Sequence, residues 1–149
     1  MSTSAVLRVR HVAILCAPNA QLLIDEYAAE CSIPEALPQA EMYAALEEIG
    51  ALQCFGAYVD EELVGFASVV SAVMPHNGRR SATLESIFVS ADHRSSGAGN
   101  ALLIAAEHYA AERECVAIIY SPRIGSTMER VLLRRCDCHP THTVYTRWL

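Results

Sequence analysis

The chain has 149 residues, 17 acids against 11 bases and a net charge of −6; 52% of it is apolar and 19% charged. That length points to one domain, 1–149, with room for a real core, and the composition excludes a disordered, collagenous or low-complexity chain. No apolar run reaches bilayer length, and the negative balance disfavours nucleic acid, which needs clustered positive charge. All eleven bases are arginine, so no lysine nucleophile or Schiff base is available. Arg8, Arg10 and His11 interrupt the first apolar stretch, so no secretion signal is expected. Cys16, Cys31, Cys54, Cys115, Cys136 and Cys138 are scattered through apolar or helical surroundings. They read as reduced thiols of a cytoplasmic protein, with Cys16 and Cys54 as core thiols in strands.

The expected elements run β-α-α-β-β-β-α-β-α-β, a mixed α/β (α+β) order. Ala5 to Ala17 is β-branched and apolar and predicts a strand. Pro18-Asn19 opens a helix to about Cys31, with Leu22, Leu23, Tyr27 and Ala28 on one face. Ser32 to Pro38 is a proline-bounded break. A second helix covers about Gln39 to Ile49 and ends at Gly50. Leu52–Val59 and Leu63–Met74 are strands joined through Asp60-Glu61-Glu62. Pro75-His76-Asn77-Gly78 carries a hairpin signal, because Asn-Gly readily takes the positive φ angles of a tight turn. Ala82–Ser90 completes an antiparallel meander. A helix follows from Gly97 to about Glu114, then a short buried-type strand, Val116–Ser121. Ser126–Cys136 is helical by composition, and Thr143–Leu149 is expected as a closing strand.

The segment Leu84-Glu85-Ser86-Ile87-Phe88-Val89-Ser90-Ala91-Asp92-His93-Arg94-Ser95-Ser96-Gly97-Ala98-Gly99-Asn100 is the most informative. It reads as a strand, a tight loop of small residues and a helix start. Amides at a helix N-terminus lack intrahelical partners and, with the helix dipole, form an anion site. Gly97 and Gly99 let a diphosphate approach the backbone, and Arg94 adds a positive charge. The pattern is not a dinucleotide fingerprint, since a third glycine is missing and the preceding strand belongs to a meander. It also lacks the Lys-Ser/Thr of a P-loop.

Arg94-Ser95-Ser96-Gly97-Ala98-Gly99 resembles the Arg/Gln-x-x-Gly-x-Gly/Ala motif of the GNAT acetyltransferase superfamily, and the element order matches over nearly the whole chain. Val64-Gly65-Phe66, the Pro-His-Asn hairpin and Ile87-Phe88-Val89 look like small acetyltransferases of phage origin. The resemblance implies a mostly antiparallel sheet flanked by helices and an acetyl-CoA-dependent N-acetyltransferase. It implies that the amides of Arg94, Ser95, Ser96, Gly97, Ala98, Gly99 and Asn100 hold the pyrophosphate of acetyl-CoA. The backbone of Phe88 and Val89 would pair with the pantetheine arm, and the Val89 amide would polarise the acetyl carbonyl. The acceptor would be a small-molecule or protein amine, with the acidic surface leaning towards cations. Homodimers are common in the family.

An ammonium must lose a proton before it attacks a thioester, so a general base is needed. Glu85 is the leading candidate: many family members carry a carboxylate there, and strand alternation places Glu85, Ile87 and Val89 on one face. His76 is the second, in a hairpin where the family often meets its acceptor. The family tyrosine that protonates the leaving thiolate is missing. Leu133 falls near its position, with Ser126, Tyr120 or Tyr145 as substitutes. That departure keeps open an acyl-CoA-binding module with little turnover. Cys136-x-Cys138-His139-x-x-His142 offers metal-type side chains at a spacing that does not suit zinc, so no metal is expected. No Gly-x-Ser-x-Gly elbow supports hydrolysis.

Overall fold

A computed structural model describes residues 6–31 and 39–149. The break expected over Ser32–Pro38 and the first residue of the Ala5–Ala17 strand lie outside the described residues. The chain divides into two compact units, Met1–Ile119 and Tyr120–Leu149.

The first unit is a five-stranded sheet in the order β1 (Leu7–His11), β2 (Leu52–Val59), β3 (Glu62–Met74), β4 (Arg79–Val89) and β5 (Ile118–Ile119). The first four strands pair antiparallel, and β5 is parallel to β4. Short turns enforce the two hairpins. Asp60 and Glu61 both take positive φ, 49° and 67°, and Gly78 takes 68° beside Asn77. Asn77 Oδ1 also accepts the Arg79 amide at 2.9 Å, which closes the second turn.

Helices α1 (Ala20–Cys31) and α2 (Ala40–Glu48) connect β1 to β2, and α3 (Ala98–Glu112) connects β4 to β5. On one face Leu23 and Ile24 of α1 join Cys54, Phe66 and Phe88, with Tyr27 and Tyr43 packed against them. Tyr27 meets Phe66 and Phe88 edge-on, at 5.7 and 5.9 Å between ring centroids. On the other face Tyr109 of α3 meets Phe55 at 6.2 Å and Ser71 at 3.4 Å. Residues 54 and 55, like 70 and 71, therefore face opposite layers, as strand alternation requires.

Several expectations shift. The first strand stops at His11, its ladder closing with the Val12 amide on Cys54 O at 3.1 Å. Ile14–Cys16 forms one 3₁₀ turn that drops Ile14 into the core and leaves Cys16 exposed, so Cys54 alone of the pair is a core thiol. On α1 the inward face is Ala20, Leu23 and Ile24, while Leu22 points to solvent. The strand after α3 is only two residues long and half-exposed, an edge rather than a buried strand.

In the second unit, α4 covers Thr127–Leu133. Ser126 Oγ caps it by accepting the Glu129 amide at 3.1 Å, and Glu129 in turn accepts the Gly125 amide at 2.6 Å. This reciprocal arrangement satisfies donors at the first turn. Thr143–Leu149 forms no strand. A β-rich segment becomes a strand only where a partner supplies the ladder, and here Tyr145 and Trp148 lie exposed.

Candidate active site

The site is built where β4 runs into α3. β5 pairs with only Ala82 and Thr83, so the outer edge of β4 beyond them has no paired strand among the described residues. Ser90 N donates to Val64 O at 2.9 Å, which makes Gly65–Val89 a non-hydrogen-bonded pair. The backbone polar groups of Val89 and, two residues earlier, of Ile87 therefore face the open edge. Those of Phe88 face β3 and its ring lies in the core, so of the two backbone positions expected at the edge Val89 alone faces it. Gly65 is needed at this pair: a Cβ there would lie 2.7 Å from Phe88 O and 3.0 Å from Val89 Cγ2.

The Val89 carbonyl accepts Arg94 Nε at 3.0 Å. The same guanidinium pairs with Glu30 of α1 and lies 5.6 Å from the centre of the Phe88 ring. Arg94 thus clasps the strand end to α1. The Val89 amide remains as the donor on the open edge.

The loop then turns into α3 through Gly97, whose φ of 86° lies in the left-handed region that disfavours a Cβ. Its amides divide into two sets. Arg94 N is aimed at Ala91 O at 3.5 Å, Ser96 N donates to His93 O at 3.0 Å, and Ala98 N donates to Ser96 Oγ at 3.3 Å. Ser95, Gly97, Gly99 and Asn100 donate to no protein group among the described residues. These four amides, at the positive end of a 15-residue helix, make an anion cradle narrower than the whole Arg94–Asn100 stretch.

Glu85 sits on a β-bulge. Leu84 pairs with Val69 and Ser86 with Ser68, which leaves Glu85 as the extra residue. Alternation is broken there, and the carboxylate joins the face of Ser86 and Phe88, not that of Ile87 and Val89. Glu85 Oε2 accepts the Ser68 hydroxyl, and Ser68 Oγ lies 2.6 Å from Ser86 Oγ. Both serines are buried. Glu85 opens into a cavity of about 310 Å³ whose walls include Tyr27, Tyr43, Met42 and Phe66. Burial, then the neighbouring Cys31 and Glu85, pushes the Tyr27 hydroxyl up to about 12. Burial and then Glu85 do the same for Tyr43, also about 12. Both phenols therefore stay protonated near neutrality. Cys54, at the cavity floor, is likewise pushed up to about 12 by burial and Glu47. Glu47 shares a hydrogen bond with that thiol, and its Oε1 lies 3.8 Å from His11 Nε2.

His76 does not join this cluster. It is exposed at the hairpin tip, and the six steps of extended strand from Arg79 to Glu85 span roughly 20 Å. Leu133, near the position of the absent family tyrosine, is 63% exposed. Sequence reasoning missed Ser68 and Ser86. A hydroxyl inside each of two apolar strands was the available signal, but only the strand register brings the two together. Among the described residues no three His, Cys, Asp or Glu side chains are grouped to hold a metal. No helix of the described residues is long and apolar enough to cross a membrane.

The Acetyltransferase (GNAT) family model matches residues 20–126, and the chain belongs to that family. An aminoglycoside acetyltransferase from an uncultured soil metagenomic sample superposes with a TM-score of 0.76 at 15% identity, covering 96% of each chain. A ribosomal-protein-alanine N-acetyltransferase from Brucella melitensis biovar Abortus 2308 also gives 0.76, at 22% identity, over 97% of this chain and 99% of that one. A glucosamine-6-phosphate N-acetyltransferase from Arabidopsis thaliana gives 0.74 at 11% identity, over 96% and 98%. At these identities the likeness concerns the fold, and the names alone span three kinds of acceptor. No curated protein matches the sequence.

Proposed function

We propose that the chain is an N-acetyltransferase that passes the acetyl group of acetyl-CoA to a primary amine within a ternary complex. The observation that carries this is one continuous strand–loop–helix segment. It presents a carboxylate at Glu85, an unpaired amide at Val89, and a cradle of four amides at Ser95, Gly97, Gly99 and Asn100.

Acetyl-CoA supplies the acetyl group already activated as a thioester. The residues fit it in kind: the cradle suits a pyrophosphate, and the open β4 edge offers Ile87 and Val89 to an amide-bearing arm, as a sheet edge receives a strand. Glu85 takes the proton from the acceptor ammonium, which frees the nitrogen lone pair for attack. Ser68, held by Ser86, positions the carboxylate. The Val89 amide donates to the oxygen that gains charge as the tetrahedral carbon forms. Arg94 keeps that amide in place through the Val89 carbonyl. No family tyrosine is present to protonate the leaving thiolate, so in this reading it departs without that residue.

The test is the Glu85→Gln variant. Calorimetric titration is expected to give unchanged CoA affinity, while turnover of an amine substrate falls by about 10²–10⁴-fold. Full activity in the variant would place the base elsewhere. Absence of CoA binding to the wild-type protein would remove the acetyltransferase reading. CoA binding with no turnover across a broad amine panel would support the binding-module alternative, which the leucine at position 133 favours.

A further inference from the structure

The cavity beside Glu85 has an uneven chemistry. Among its described lining residues Glu85 is the only carboxylate, and there is no cationic side chain. Ile24, Met42 and Phe66 form apolar walls, and Tyr27 and Tyr43 add aromatic faces with protonated hydroxyls. Neither Glu30, paired with Arg94, nor Glu47, which lies between His11 and the Cys54 thiol, is among the residues lining the cavity. At about 310 Å³ the space lies at the small end for ligand pockets.

One carboxylate can neutralise one ammonium. Glu85 is exposed at the cavity mouth, so a second ammonium either stays in water and forgoes the apolar walls or enters past them, desolvated with no counter-charge among the described lining residues. An apolar body on the amine instead gains from burial against Phe66, Met42 and the two tyrosines. Their faces also attract a cation near the ring. We propose that the acceptor is a small primary amine with a single positive charge and an aromatic or branched aliphatic body. Diamines, polyamines and amino sugars with several ammonium groups are then poor acceptors, although the acidic net charge of the chain draws cations of every kind. This proposal rests on the assignment of Glu85 as the group that meets the acceptor.

Phenethylamine, isoamylamine, putrescine and spermidine serve as probes, each titrated calorimetrically into the full chain with and without saturating CoA. Acetylation of each is followed in parallel. Phenethylamine and isoamylamine are expected to bind at least about tenfold more tightly than putrescine, with the same order in kcat/KM. Met42, 61% exposed at the cavity rim, tolerates a charge. Met42→Glu adds a second carboxylate and is expected to improve putrescine binding about tenfold while phenethylamine gains little. Equal or tighter binding of putrescine or spermidine to the wild-type chain overturns the proposal, as does a Met42→Glu variant with an unchanged ratio. CoA binding without binding of any probe also overturns it. If CoA does not bind, the acetyltransferase reading fails, and the titrations without CoA still decide whether the cavity prefers the singly charged probes.

Discussion

Two glycines two residues apart separate backbone strain from ligand approach. Gly97 has a φ of 86°, and a Cβ there meets only Leu7 Cδ2, at 3.8 Å. Gly97→Ala therefore loses stability through conformation, by about 1–2 kcal/mol, with no steric clash. With a urea slope typical of a small protein, the midpoint falls by about 0.5–1 M. Gly99 lies within α3 in ordinary helical conformation, and a Cβ would meet only Val89 Cγ2, at 3.9 Å. Gly99→Ala therefore keeps the stability of the wild type or raises it by up to about 1 kcal/mol, since alanine is the better helix former. The new methyl points towards the Val89 side chain, from within the turn that carries the free amides. A hydrogen bond from an amide to a charged phosphate oxygen is worth about 1.5–3 kcal/mol. Displacing one such contact weakens CoA binding about 10–100-fold. Urea unfolding and calorimetric titration of CoA into both variants and the wild type measure the two effects separately. A Gly99→Ala protein that unfolds and binds CoA like the wild type would refute the assignment of the pyrophosphate to this helix turn.

Two further outcomes follow from the same geometry. Gly65→Ala forces a methyl against the Phe88 carbonyl at 2.7 Å, so the β3–β4 pair must part where Val89 is held; denaturant unfolding is expected to show a loss of about 1–3 kcal/mol, and a wild-type midpoint would mean that the strands adjust freely. Tyr27 and Tyr43 are raised from 10.0, and Cys54 from 9.0, to about 12. The folded chain therefore holds protons that the unfolded chain releases as pH rises through that window. Their stabilising contribution is complete below about pH 9 and declines towards about pH 12. Urea midpoints at about pH 8 and about pH 11 are expected to differ less for Tyr43→Phe than for the wild type, and an identical difference would remove Tyr43 from the account.

The amino-acid sequence alone determined the meander, the helix order and the motif loop. Those features depend on local chemistry: apolar, β-branched and aromatic runs in β2 to β4, a positive-φ glycine after Asn77, and small residues before a helix. Glu85 and the Gly97–Asn100 turn were legible for that reason, since each is marked by its own type within its own element. The tertiary structure alone decided what those residues face. The bulge at Glu85 turns its carboxylate to the α1–α2 layer, because Ser86 pairs with Ser68 while Leu84 pairs with Val69. The outward amide belongs to Val89 and the inward one to Phe88, because Ser90 bonds to Val64. Only two residues of β5 reach β4, and the open edge exists for that reason. Thr143–Leu149 has strand-forming residues and no ladder. Each of these is a matter of register or pairing between segments far apart in the chain, and a backbone hydrogen bond between strands leaves no mark on the residue type at either end.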